Sequence, residues 1–445
     1  MANKDKIYEI YKEYIFRYRE KRALDKEFSN TRIASIDFIR GILVIFSLII
    51  INQGLENNIS NTFKISQWNG ITFADLIVPM LLITMGMSVP FFIKKYLRIY
   101  DSFSIIMEKI FIKFLFLFII GIFINLIYYF NQGIRITGPL QLIAINYVII
   151  TFIYLGLVRL KIKNNNLGLL MVFMALIWSM IFTIIAYING FNISNNTFVT
   201  VDRRLLSMFM TTSGINPEGI LASFSSLSLS MLGVSIGCIF NKKHVSDKKY
   251  IKYIRNSSIK RNGFNRSSLW HDIKSWLNPR SIKAILSNYY RINDQVKKLV
   301  DLLILTILFL LFSNIISIWI PVNRNVFSIS FITRIGSYMY FIMMVLYALF
   351  DIAKYRRIGR LIRRIGMNSI LVTVLSIILY KLINLIHIKS IYTDTWLPLN
   401  NWICTDFIVP ISGLYNASFL YSIIATLVCV GISWILIYKD IKINL

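Results

Sequence analysis

Apolar residues in this chain neither alternate with polar ones nor form the narrow stripe of a surface helix. They fall in nearly uninterrupted blocks divided by short polar loops. A block of about 20 residues with few charges predicts a transmembrane helix. Such blocks occur at about ten places: 35–52, 73–93, 104–130, 138–158, 167–189, 218–240, 299–321, 328–352, 368–388 and 413–438. The pattern predicts an all-α fold, a polytopic transmembrane bundle. A closed barrel would need short alternating strands, and these blocks are continuous.

Two stretches depart from the pattern. In residues 1–32, Ile7, Tyr8, Tyr11, Tyr14, Ile15 and Tyr18 recur at intervals of three and four, as on an amphipathic helix suited to the inner leaflet or the surface of the bundle. This charged opening is unlike a cleavable signal peptide. Residues 241–298 carry fifteen Lys and Arg against Asp247, Asp272 and Asp294. They read as a basic cytoplasmic insertion that separates helices within 33–240 from helices within 299–445. No short internal repeat is evident, so an inverted-repeat transporter gains no direct support.

Composition agrees with a membrane chain: 56% of the 445 residues are hydrophobic, and the mean hydropathy is +0.62. The net charge of +28 first points to nucleic acid. Its distribution points elsewhere, because Lys and Arg crowd alternate loops: 94–98, 159–163, 241–298, 354–364 and 439–442. That alternation is the positive-inside pattern, which places both termini in the cytoplasm of a cell-membrane protein and favours anionic lipid over nucleic acid as the partner of the charge. Cys238, Cys404 and Cys429 suggest neither a disulfide framework nor a metal site. Cys404 has no neighbouring His or Lys to activate it and reads as a bystander.

Ionisable groups near membrane spans are expensive and so draw attention as functional candidates. At the cytoplasmic side, "SIDFIRG" sets Asp37 and Arg40 three residues apart on one helix face. This is either an ion pair at the helix entrance or an arginine placed to hold a phosphate. Toward the outer side, distant loops supply Asn52 and Gln53; Trp68, Asn69 and Asp75; Arg135 and Gln141; Glu218; and Asn323 and Asn325. Each alone reads as a cap or a turn. Together they describe a polar pocket on the face opposite Arg40.

The segments "RIASIDFIRG", "WNGITFADLIVPMLLITMGMSV", "RITGPLQLIAINYV", "NPEGILASFSSLSLSMLGVSIG", "PVNRNVFSISF" and "RIGMNSILV" occur in this order from Arg32 to about residue 375. In combination they resemble the membrane-bound acetyltransferases typified by heparan-α-glucosaminide N-acetyltransferase and its bacterial relatives. The resemblance implies acetyl transfer from cytoplasmic acetyl-CoA to an amino sugar or glycan across the membrane. It implies a donor site at Asp37, Arg40 and Asn368, and an acceptor site at Trp68, Asn69, Arg135, Gln141, Asn323 and Asn325. Family members carry a histidine three residues before the Trp of the Trp-Asn-Gly turn, as base or acetyl carrier. Here that position is Ile65, and no His lies between Asn52 and Trp68.

Three readings follow. Asp75, Glu218 or His387 could serve as the base, with Asn52 and Asn323 stabilising the oxyanion in a direct transfer. The protein could instead bind CoA or a glycan without turnover, or the same polar residues could line a path for a small polar solute. The acceptor is open among cell-wall amino sugars, glycolipid head groups and small metabolites, and a homodimer is compatible with the pattern.

Overall fold

The computed structural model describes residues 33–438 apart from 56–58, 101, 129–134, 163, 207–217, 243–293, 356, 358 and 393. The amphipathic helix expected within 1–32 and most of the basic stretch at 241–298 lie outside the described residues.

Among the described residues, nine helices are long and apolar enough to cross a membrane, or ten if one bent pair counts as a single span. They are α1 (Ala34–Ile51), α2 (Phe73–Ile99), α3 (Phe103–Tyr128), α4 (Pro139–Arg159) and α5 (Asn164–Tyr187). A short helix, α6 (Thr197–Leu205), precedes α7 (Ile220–Ser225) and α8 (Leu227–Phe240), which together make one span. Then come α9 (Asp294–Ile316) and α10 (Ile329–Leu346), the latter extended by a π-helical turn at Tyr347–Ile352. The bent pair is α11 (Arg360–Met367) and α12 (Ser369–Asn384), and α13 (Leu414–Tyr438) ends the described chain. Two three-residue strands, β1 (His387–Lys389) and β2 (Trp396–Pro398), pair antiparallel between α12 and the short helical turns of Leu399–Ser412. The all-α multi-pass bundle is thus the fold, and its spans agree closely with the apolar blocks.

Two spans differ in detail from the sequence pattern. The seventh span is described from Asp294 rather than 299, and Lys298 and Asp301 near its start are tied to the end of α8. Lys298 donates to the carbonyl of Phe240 at 2.6 Å, and Lys242 pairs with Asp301 at 3.1 Å. The ninth predicted span, 368–388, coincides with α12, but it is preceded by α11, set at 84° to it across Asn368 and packed on α1.

The centre of the bundle is α8, buried along its whole length against α2 and α5. Small residues let it sink there, since lipid offers no hydrophobic drive for helices to associate and close backbone approach must supply the attraction. A Cβ at Gly86 would lie 2.2 Å from the carbonyl oxygen of Ser230, and one at Gly233 would lie 2.2 Å from that of Ile83. The α2–α8 crossing is therefore backbone against backbone. The polar side chains of α8 are satisfied locally: Ser228 and Ser235 donate to carbonyls one turn back at 2.8 and 2.7 Å. Ser235 also bonds the hydroxyl of Tyr340 on α10. The other close crossing joins α1 to α11, where a Cβ on Gly366 would lie 1.9 Å from the carbonyl oxygen of Asp37.

Candidate functional site

The site grows from the entrance to α2. Thr72 and Asp75 stand at the first turn, and the Asp75 carboxylate accepts both the N–H and the hydroxyl of Thr72 at 2.9 Å. The N–H of Ser66 approaches both oxygens of Asp75, at 3.4 and 3.3 Å. An acidic residue here satisfies donors left over at a helix N-terminus and meets the positive end of its dipole. Asp75 is fully buried, however, and a buried carboxylate needs a cation.

That cation is Arg324, in the loop joining α9 to α10. Its Nη1 lies 3.5 Å from Asp75, and its Nη2 donates to Glu218 at 3.1 Å. Glu218, just ahead of α7, also accepts from Arg135 at 2.8 Å. Two acids and two arginines, drawn from four loops, thus form one charge-balanced chain at one end of the bundle. Arg324 is only 3% exposed, and among the described residues its Nε and Nη1 have no hydrogen-bond acceptor.

The loop that presents Arg324 is braced on both sides. The Asn323 side-chain oxygen accepts the N–H groups of Asn325 and Val326 at 2.8 and 3.2 Å, an Asx turn that folds the chain around the arginine. Ser328 caps α10 and donates to the carbonyl of Pro321 at 3.0 Å. Phe327, with φ of 49°, takes a left-handed conformation rare for so large a side chain. Ser225 secures it by donating to the carbonyls of Val326 and Phe327.

The same loop is strapped to the Trp68 turn. The N–H of Gly70 donates to Val322 at 2.8 Å, Asn323 bonds the side-chain oxygen of Asn69 at 3.3 Å, and Asn325 donates to the carbonyl of Gln67 at 3.4 Å. Trp68 donates its indole N–H to Phe191 at 2.7 Å and packs on that ring. Asn125 on α3 donates to the carbonyls of Arg135 and Thr137, which sets the approach of Arg135 to Glu218. Gln141 is 2% exposed, and among the described residues neither of its amide atoms has a partner, although the side chain is packed against Gly121 and Gly138.

Behind Glu218, Asp202 on α6 accepts the N–H of Ile220 at 3.0 Å. Burial pushes its carboxyl up to about 6, with the Ile220 bond opposing the shift.

The sequence-derived residues therefore divide into groups. Asp75, Glu218, Arg135, Trp68, Asn69, Asn323 and Asn325 belong to one connected structure. Ile65 stands beside it, 50% exposed and next to Ser66. Asn52 bonds Ser376 on α12 at 3.0 Å, and Gln53 accepts from Ser418 on α13 at 2.9 Å, so the end of α1 is tied to other helices. His387 lies exposed on β1, its Nδ1 3.1 Å from the carbonyl of Leu385. Cys404 is buried with its sulfur against Gly54, and burial pushes its thiol up to about 12.

At the other end of the bundle, Arg40 donates to Ser88 on α2 at 2.7 Å and lies 4.0 Å from Asp37. Ser88 is 13 residues along α2 from Asp75, so the two polar groups are roughly 20 Å apart. Asp351 accepts the N–H groups of Ala34 and Ser35 at 2.9 and 3.1 Å, capping α1 from another helix. Asn368 sits buried at the α11–α12 bend and donates to the carbonyl of Arg364 at 3.2 Å.

Arg324 was missed by sequence reasoning, which noted the two asparagines flanking it. Charge balance could have found it: two buried acids with Arg135 as their one recognised cation require a second.

No family model matches the chain. Among curated proteins it is similar to heparan-alpha-glucosaminide N-acetyltransferase of Homo sapiens, with 24% identity over 392 residues. The match covers 77% of this chain and 52% of the human protein, so the chain spans about half the length of that relative. The chain is similar to an N-acetyltransferase. That likeness supports the family resemblance carried by the motifs, and the loops bearing Asp75, Arg135, Glu218 and Arg324 belong to those motifs.

Proposed function

We propose that this protein is a membrane acyltransferase that carries an acetyl group from acetyl-CoA to an amino sugar or cell-envelope glycan. The main support is the buried chain Asp75–Arg324–Glu218–Arg135, assembled by segments that resemble the acetyltransferase family. In this reaction the acceptor nitrogen or oxygen attacks the thioester carbonyl carbon, loses its proton, and CoA departs with its sulfur. The protein must hold the acceptor, receive that proton and stabilise the oxyanion.

Among the described residues the Nε–H of Arg324 has no acceptor, and its Nη1 has only the 3.5 Å ion pair with Asp75, so both can donate to a sugar hydroxyl or to the oxyanion. We assign Glu218 to receive the proton, because among the described residues each of its oxygens has a single arginine partner. Asp75 already accepts from Ser66 and twice from Thr72 and serves to anchor the site. Among the described residues Asn52 and His387 share no bond with this group, and we give the chemistry to Glu218 in preference to them. Trp68, Asn69, Gln141, Asn323 and Asn325 would frame the acceptor. Arg40, with Asp37 and Asn368, would hold the CoA phosphates at the opposite end. The positive-inside pattern supports a cytoplasmic position for that end in a cell-membrane protein.

A second reading has its own observation. Ile65 occupies the position where the resemblance calls for histidine, and the charged chain is internally balanced, as a binding site without turnover would be. Incubation of purified protein with labelled acetyl-CoA and glucosamine tests both. Labelled N-acetylglucosamine, lost in Glu218→Gln with CoA binding retained, is expected of the enzyme. CoA binding without transfer selects the second reading, and neither binding nor transfer leaves solute transport as the better account.

A further inference from the structure

Arg334 is an arginine inside a membrane span. It lies on the stripe of α10 that also carries Tyr338 and Phe341, which are 39% and 51% exposed, so this flank of α10 faces lipid rather than the bundle core. Such a charge is costly in hydrocarbon unless something neutralises it or it reaches the interface. Here the protein does not neutralise it. Its Nε donates to Ser313 at 3.2 Å, and its Nη2 donates to Asn314 at 3.0 Å and Ser317 at 3.5 Å. All three acceptors are uncharged, and among the described residues no carboxylate pairs with Arg334.

These contacts do staple α10 to the C-terminal turn of α9, whose dipole favours a cation. Among the described residues they leave a full positive charge and the Nη1 donors uncommitted. The depth is shallow, since Arg334 is five residues into α10, about 8 Å from its start. Ile318 and Trp319, in the turn that follows α9, are 76% and 71% exposed. An exposed Trp beside a span marks the headgroup level. The planar guanidinium, fixed by three neutral bonds and open at Nη1, matches the geometry of a phosphate.

We infer that the α9–α10 flank at Arg334 binds the phosphate of an anionic lipid. This site is at the end of the bundle that carries Arg324, opposite Arg40, and is separate from the basic loops.

The test uses purified full-length protein in detergent, titrated with phosphatidylglycerol, phosphatidylcholine or inorganic phosphate and read by native mass spectrometry. Phosphatidylglycerol should bind the natural protein more tightly than phosphatidylcholine, and Arg334→Gln should weaken it about tenfold or more, with Arg334→Lys between. Equal phosphatidylglycerol binding in Arg334→Gln would overturn the proposal. So would displacement of the lipid by an equal concentration of inorganic phosphate, which would mark a free-phosphate site. Should Arg334→Gln not fold, equal occupancy by the two lipids in the natural protein is by itself sufficient to overturn it.

Discussion

At the scale of single residues, Arg324 has the largest consequences. It bridges Asp75 and Glu218, so removing it leaves the buried Asp75 without its cation and Glu218 with Arg135 alone. Arg324→Gln should destabilise the protein by about 3–5 kcal/mol, read as a lower thermal unfolding midpoint in detergent, with Arg324→Lys losing less. Ile65→His asks a different question. Ile65 is half exposed beside Ser66, so an imidazole can be accommodated there, and its ordinary pKa of about 6.5 suits a base at neutral pH. Acetyl transfer to glucosamine should rise, and unchanged transfer with intact CoA binding would disconnect this position from the chemistry. Polar candidates in loops were legible because amides, acids and aromatics near membrane ends stand out from apolar blocks. Arg324 and Asp351 were not, because each acts on residues far away in sequence, Asp351 capping α1 across a separation of 317 residues. No periodicity encodes such a pairing.

Elements carry two further expectations. The α2–α8 crossing depends on backbone contact, so Gly233→Ala should cost about 1–3 kcal/mol of stability, because its Cβ would collide with the carbonyl of Ile83. Gly156→Ala on α4, where nothing lies within 4 Å, should be neutral or mildly stabilising in the same unfolding assay. Asp202 links α6 to the start of α7, and its folded pKa of about 6 lies above the ordinary carboxylate value. The folded state therefore holds the proton more tightly than the unfolded state, and stability should fall as pH rises from about 4 to about 6, then level off. Asp202→Asn, which keeps an acceptor for Ile220, should flatten that slope and show its stabilising effect above pH 6. The spans themselves were legible from apolar block length. The bend at Asn368 and the β1–β2 pair were not, because tertiary packing of α11 on α1 and a two-stranded pairing of only three residues each leave little local signal.

For the whole molecule, the alternation of basic loops sets a testable orientation. Ser60 and Lys354 are exposed at opposite ends of the bundle, and the three native cysteines are buried. Cysteines introduced at Ser60 and Lys354 should react with an impermeant thiol reagent from opposite sides of intact cells. Reaction of both from one side would place the Asp75 and Arg40 groups on the same face and remove the two-sided account of donor and acceptor.

The strap between the Trp68 turn and the α9–α10 loop also sets an order of events during biosynthesis. Asn323 meets Asn69 across 254 positions of chain. At a synthesis rate of about 5–20 residues per second, the first acid of the site waits roughly 12 to 50 seconds for its counter-ion to be made. During that interval a nascent chain holding α1 to α8 carries an incompletely neutralised acid at the mouth of the bundle. A ribosome stalled before Arg324 would therefore leave a product marked for quality control by charge, although its first spans were all in place.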